Sequence, residues 1–390
     1  MQQGTVIISP VTQNQYQILE TIGTGTYATC YAAINLKTNL PLCLKQIHYS
    51  SLEPANQQLS AREAQLHATL VHPSIVTFQE AFFITHNEET SLLILIELCA
   101  CSLEEHIQLR KCHSNLTFPI LTLLYIFQDI ISSLSYLHSK KIIHRDVASK
   151  NLLCIFAEND VYGEQIEKVK LCDFGVSNQG NQLLKTQIGT PQTMAPEIFD
   201  NLSYSNKCDI WSCGCVFYEI LTLKPLFENM NMVQIIQQLD NFKLTFDPIL
   251  ESQYQNFEFL SFVFELVTSM LQLDQNLRPE AKEVEIQILN AIQRFSKVEK
   301  SVEKVYLDFD GDKFFKTEEP TFSPQIKPVE MKNKSPILTE KIPSKLGKLD
   351  SKTMSLQQIK QKWKSEGQKG GQVEILSGLT PELEEQMNRQ

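Results

Sequence analysis

The chain has 390 residues, 42% hydrophobic and 21% charged, with a formal net charge of −10. That length and apolar content suffice for one large two-lobed domain plus an appendage, and they exclude disorder throughout. Acidic residues outnumber basic ones in residues 1–295, while 296–390 is slightly basic; this disfavours a nucleic-acid groove in the body and leaves a solvated acidic surface or attraction for basic partners. Residues 1–15 read as an N-terminal extension, and Met1-Gln2-Gln3-Gly4 lacks the positive charge of a secretory signal. No apolar run reads as long enough to cross a membrane. All ten cysteines fall between Cys30 and Cys215, mostly within apolar runs. Such thiols suit a reducing compartment, so a cytoplasmic location is expected, with the nucleus left open. The pairs Cys99/Cys101 and Cys213/Cys215 lack an accompanying His pattern, which disfavours zinc.

From Tyr16 to Ala33, Ile18, Leu19 and Ile22 lead into Gly23-Thr24-Gly25-Thr26-Tyr27-Ala28, a strand, tight turn, strand pattern. Its glycines let backbone amides approach a phosphate, and the hairpin form differs from the strand-to-helix turn of dinucleotide-binding folds. The strand Leu42–Ile47 alternates so that Lys45 faces a cleft. A helix carrying Glu63, Leu66 and Leu70 precedes His72-Pro73, with Glu63 on the side that can pair with Lys45. Leu92–Glu97 reads as a strand buried on both faces and opens into Leu98-Cys99-Ala100-Cys101. A helix follows between Leu121 and His138, with an apolar face of Leu124, Phe127, Ile131, Leu134 and Leu137.

The stretch His144-Arg145-Asp146-Val147-Ala148-Ser149-Lys150-Asn151 joins an apolar segment to the strand-like Leu152–Phe156. In such a loop Asp146 could accept a proton from an attacking hydroxyl, and Asn151 offers a hard amide oxygen of the kind magnesium prefers. A polar loop around Glu158-Asn159-Asp160 and Gly163 separates it from Asp173-Phe174-Gly175. Ala195-Pro196-Glu197, Asp209-Ile210-Trp211 and Arg278-Pro279 follow in that order.

These elements together, over residues 16–295, resemble the eukaryotic protein kinases. The resemblance implies an α+β, bilobal fold: a small antiparallel sheet lobe with one helix (16–97), a larger, mainly helical lobe (98–295), and ATP with Mg2+ between them. It implies that Asp146 is the base, that Lys45, fixed by Glu63, holds phosphates, and that Asn151 and Asp173 bind magnesium. Ile22, Gly23, Gly25, Cys30, Cys43, Ile96 and Leu153 would line the nucleotide pocket, with backbone groups of Glu97 and Cys99 on the adenine edge. Asp209 would hold the catalytic loop, and Arg278 would form a buried ion pair with Glu197. Thr190, before Ala195-Pro196-Glu197, matches the Ser/Thr kinases, so transfer to Ser or Thr of protein substrates is expected. Thr186 is then the expected site of an upstream kinase, with Arg145 engaging the phosphate.

Five positions depart from the family pattern. Ala28 replaces the third glycine, Cys30 a valine, and His67 a packing aliphatic residue. Ala148 replaces a lysine, and Lys150 resembles the basic residue of tyrosine-kinase loops, while Thr193 replaces an aromatic. These keep open a pseudokinase scaffold and a dual-specificity or tyrosine kinase; a small-molecule kinase is disfavoured by the full activation segment. Residues 296–390 read as a low-order tail rich in Lys, Glu, Ser and Pro. Asp308, Asp310, Asp312 and Glu319 have calcium-loop offsets, but Lys313 replaces the required glycine. Leu356, Ile359 and Trp363, among lysines, predict a short basic amphipathic helix near 354–366 that could dock on a partner or on the acidic body.

Overall fold

The computed structural model describes residues 1–307 apart from 26–27, 87, 113–116, 158–164, 175–189, 200–204 and 241. Thr186, the polar loop at 158–163, the calcium-like spacing and the 354–366 helix therefore lie outside the described residues.

The smaller lobe is a six-stranded sheet of β1 (Val6–Ile8), β2 (Gln15–Thr24), β3 (Ala28–Asn35), β4 (Pro41–Ile47), β5 (Phe78–His86) and β6 (Glu89–Glu97), in the order β1-β2-β3-β4-β6-β5. Each of its pairings is antiparallel. β1 belongs to residues set apart in sequence as an extension, yet it continues the sheet by pairing Val6–Ile8 with Gln15–Gln17. The edge is fastened by Glu80, a buried carboxylate that accepts hydrogen bonds from Ser9, Thr12 and Tyr16. β4 and β6 do not show the simple alternation of a surface strand: only Lys45 in β4 escapes full burial, because α1 (Pro54–Ala68) covers the second face. Pro54 at the first helical position starts α1, and the helix ends at Ala68, so Leu70 lies beyond it.

A second sheet, β7 (Cys101–Ser102), β8 (Leu152–Phe156) and β9 (Ile166–Leu171), lies below the crossing between lobes. The helices are α2 (Leu103–Cys112), α3 (Ile120–Ser139), α4 (Pro196–Phe199), α5 (Lys207–Thr222), α6 (Met232–Leu239), α7 (Ile249–Tyr254), α8 (Phe257–Met270) and α9 (Ala281–Leu307). α3 is long and apolar enough to cross a membrane by length and composition, which corrects the sequence reading. The composition is explained by packing: Leu123, Leu124, Phe127, Ile131, Leu134 and Leu137 are wholly buried in the core of the large lobe. Its one buried acid, Asp129, is satisfied by Ser74 Oγ at 3.2 Å and Val169 N–H at 2.9 Å, which ties α3 to both lobes' connecting segments. α5 and α8 approach closely at Gly214, where a Cβ would sit 3.0 Å from Leu271 Cδ2. A side chain there would push the two helices apart.

Candidate active site

The central loop is held from below. Asp209 is fully buried in the first turn of α5 and accepts hydrogen bonds from His144 N–H at 2.9 Å, Arg145 N–H at 2.8 Å and His138 Nε2 at 2.8 Å. Burial alone would raise its pKa; the His138 hydrogen bond and charge and the Arg145 amide outweigh it and hold the carboxylate below its usual range. Arg145 takes φ of 73° and Asp173 φ of 64°, left-handed conformations that cost a non-glycine residue energy and cluster at functional sites.

Asp146 gathers the acceptor side. Its Oδ1 accepts from Thr190 N–H at 2.9 Å and Thr190 Oγ1 at 2.8 Å, and its Oδ2 from Asn151 Nδ2 at 2.9 Å. Lys150 Nζ lies 3.4 Å from the same Oδ2, with its side chain 45% exposed. Asn151 also donates to the Asp146 carbonyl at 2.8 Å, so its amide nitrogen is committed to the loop and its oxygen is the atom left for a cation. Thr193, buried beside Thr190, passes its carbonyl to Ser212 Oγ of α5 at 2.6 Å.

Lys45 faces the cleft, 2.8 Å from Glu63 Oε1 and 3.5 Å from Asp173 Oδ1. Burial opposes its charge, but the two carboxylates outweigh that and keep the ammonium protonated. Cys30, Cys43 and Ile96 follow across three adjacent strands: Cys30 opposes Lys45, and Cys43 opposes Ile96. Gly23 faces Cys30 from β2, and the turn closes with Gly25 N–H on the Ala28 carbonyl at 2.8 Å. Ile22 is 45% exposed at the mouth. In β8 Leu152 and Cys154 are buried in the core, so Leu153 points the other way and is only half-buried.

One expectation is narrowed. Glu97 N–H donates to the Thr77 carbonyl at 2.9 Å, so it is not offered to a purine. Its buried carboxylate is clamped by Lys170 Nζ at 2.7 Å and Thr77 Oγ1 at 2.9 Å, a pairing between residues far apart in sequence that no local pattern announces. Cys99 is half-buried at the same crossing. The zinc spacing dissolves, because Cys213 and Cys215 are buried inside α5 while Cys99 and Cys101 lie at the hinge and β7.

No group of three or more His, Cys, Asp or Glu among the described residues could hold a metal by itself. Magnesium does not need one: it takes one or two protein oxygens and completes its shell with water and substrate phosphates. Asp173, its side chain 47% exposed in the cleft, and Asn151 supply that kind of donor.

A sequence profile described as "Protein kinase domain" matches residues 16–287. This chain belongs to the protein kinase domain family. Among its relatives, "Probable serine/threonine-protein kinase nek3" of Dictyostelium discoideum is 29% identical over 276 residues, 70% of this chain and 23% of the relative. "Serine/threonine-protein kinase Nek5" of Homo sapiens is 32% identical over 230 residues, 58% of this chain and 30% of the relative. "Serine/threonine-protein kinase Nek1" of Mus musculus is 34% identical over 229 residues, 58% of this chain and 18% of the relative. The chain thus spans less than a third of the length of these relatives.

Within this kinase domain His67, which replaces the family's packing aliphatic residue, still packs α1 in place. It is buried, donates from Nε2 to the Val76 carbonyl at 2.7 Å, and packs between Phe78 and Phe174, with ring centroids 5.6 and 4.9 Å away. Phe174 in turn meets His144 at 5.4 Å, so a column of rings joins α1 to the loop that carries Asp146. The other end of that column is also hydrogen-bonded, since His144 Nε2 donates to the Cys172 carbonyl at 3.2 Å.

Burial lowers the His67 pKa to about 4, against about 6.5 in an unfolded chain. The unfolded chain therefore takes up this proton first as pH falls. The contribution to stability is complete above pH ~6.5 and is lost progressively towards pH ~4, with a slope of at most about 1.4 kcal/mol per pH unit. Urea unfolding across this window should show a flatter stability profile for His67→Leu than for wild type, and parallel profiles would count against a buried neutral imidazole.

Proposed function

We propose that the chain is an ATP- and magnesium-dependent protein kinase that transfers the γ-phosphate to Ser or Thr hydroxyls of protein substrates. The observation that carries this reading is the pair of hydrogen bonds that Thr190 donates to Asp146 Oδ1, which joins the segment before Ala195-Pro196-Glu197 to the proposed base. The names of the relatives support the same residue type.

Asp146 orients the acceptor hydroxyl and takes its proton, while Thr190 and Asn151 fix the carboxylate's direction. Lys45 is kept charged and aimed by Glu63, so phosphate meets an ammonium that needs no reorganisation. Asp173 and Asn151 are the residues that would hold magnesium, whose charge neutralises phosphate oxygens when bound. The family's catalytic lysine is absent at Ala148, which is buried; Lys150, with Nζ 3.4 Å from Asp146 Oδ2, is assigned the γ-phosphate.

Around this core, Thr186 is proposed as the target of an upstream kinase, with the adjacent Arg145 receiving its phosphate, and the 354–366 segment as a docking helix for a partner or for the acidic lobes. A cytoplasmic location is favoured by ten free thiols.

The test is incubation of the full chain with labelled ATP, magnesium and a degenerate peptide library, followed by phosphoamino-acid analysis. Label on Ser and Thr, absent in Asp173→Asn, is the expected result. Predominant phosphotyrosine would overturn the residue type, and nucleotide binding without any transfer would leave a scaffold.

A further inference from the structure

Two thiols meet on the cleft face of the small lobe. β3 and β4 pair so that Cys30 lies opposite Lys45 and Ala32 opposite Cys43. Cys30, Cys43 and Lys45 therefore share one face of the sheet. That face is the cleft, because Lys45 there reaches Glu63 and Asp173. Cys43 is buried and Cys30 half-buried, and the two side chains are diagonal neighbours on adjacent strands, near enough for the Cys43 thiol to favour the Cys30 thiolate. On its other side Cys30 faces Gly23, where even an added Cβ would only come within 4.0 Å of Cys30 Cβ. No side chain at that position of β2 covers the thiol.

We propose that Cys30 and Cys43 are an oxidisable pair, converted by a hydroperoxide to a disulfide that disables the nucleotide site. The environment favours Cys30 as the attacking sulfur. The Cys43 thiol and the Lys45 ammonium, against burial and the Asp173 and Glu63 carboxylates, bring its pKa down to about 7, which favours the nucleophilic thiolate. Cys43, pushed up by the neighbouring Cys30 and by burial, stays a thiol and is the resolving partner.

The chemistry is complete with one hydroperoxide. The Cys30 thiolate attacks the peroxide, the O–O bond breaks, and the alcohol or water leaves after taking up a proton, giving a sulfenic acid. Cys43 then attacks that sulfur; the S–O bond breaks, the S–S bond forms, and water leaves with the Cys43 proton. Two thiols are oxidised and one hydroperoxide is reduced.

The register makes Cys30 and Cys43 diagonal rather than directly opposed, so closing the bond requires β3 to shift along β4. β3 begins at Ala28, whose carbonyl closes the glycine turn, so the shift carries that turn with it. A strained disulfide is readily reduced, which makes the change reversible. Because nucleotide and disulfide compete for the same arrangement of the cleft, each must weaken the other by the same factor. The thiols of Cys101 and Cys154 provide an internal comparison. They are directly opposed, but the nearby charge there is the Glu105 carboxylate, which disfavours a thiolate, where Cys30 has the Lys45 ammonium.

This inference rests on reading the cleft as an ATP site, but the cross-link is measured without nucleotide. The full chain is treated with hydrogen peroxide at near-stoichiometric dose, alkylated, and peptide-mapped without reduction. The expected result is a Cys30–Cys43 linked peptide, with Cys101 and Cys154 still alkylated. A non-hydrolysable ATP analogue with magnesium should slow the link. Oxidised protein should bind a fluorescent nucleotide roughly tenfold more weakly, within the span usual for coupled sites, and dithiothreitol should restore binding. Cys43→Ser should stop at a Cys30 sulfenic acid trapped by dimedone and give no linked peptide. The proposal is overturned if oxidised wild type retains an alkylatable Cys43, or if the linked protein binds nucleotide as well as the reduced one. Failure of the reduced protein to bind nucleotide would instead overturn the functional reading, and the mapped link would stand apart from it.

Discussion

Asp146→Asn should lower kcat by about 10²–10⁴-fold, the range expected when a positioned general base is lost, while nucleotide affinity changes little. The carboxylate is the meeting point of Thr190, Asn151 and Lys150. An amide of the same shape keeps one acceptor oxygen but cannot take the hydroxyl proton, and its NH2 group faces donors that previously met a carboxylate oxygen. Lys150→Ala tests the adjoining charge. If Lys150 serves the γ-phosphate, its loss should lower kcat about a hundredfold or more, as removal of one preorganised transition-state donor does, again with little effect on nucleotide binding. Introducing Ala148→Lys into that variant should recover part of the rate. Steady-state kinetics beside direct nucleotide titration separate the two effects. Full turnover in Lys150→Ala would show that another cation serves the phosphate, and full turnover in Asp146→Asn would remove the base from the mechanism.

The second large effect is on stability. Arg278 has no exposed side-chain surface, and its NH1 and NH2 meet Glu197 Oε1 and Oε2 at 2.7 and 2.8 Å. The carbonyls of Gln272, Lys207 and Leu273 take further N–H groups, and the Trp211 ring lies 5.1 Å from the guanidinium carbon. Glu197→Ala would leave this cation buried without a counter-charge, which costs about 3–5 kcal/mol. Urea denaturation should show that loss. Replacing both partners by apolar residues of similar volume should recover much of it, because the penalty arises from one stranded charge rather than from loss of the pair. A loss below about 1 kcal/mol in Glu197→Ala, the scale of an exposed pair, would mean that water reaches Arg278.

Much of the lobe architecture was legible in the sequence, and so was the order of the motifs that meet in the cleft, because both are encoded locally. Hydrophobic periodicity announces α3 and the central strands, and short motifs such as Asp173-Phe174 and His144-Arg145-Asp146 carry their residue types at fixed spacing. Even so, the periodic pattern through Leu70 runs past the end of α1 at Ala68, since helix ends depend on capping more than on period. Other features belong to the tertiary structure alone. β1 joins the sheet through a short run whose own pattern is weak, and Glu80 pins that edge from 64 or more residues away. His67 was a doubtful substitution in sequence; folding makes it a satisfied link, because the Val76 carbonyl and two aromatic rings surround it. Glu97 with Lys170, Asp209 with the loop amides, and Cys30 with Cys43 are likewise partnerships of distant residues. The physical reason is the same in each case. A polar group taken out of water must find a partner there, and only the packed chain decides which distant residue that partner is.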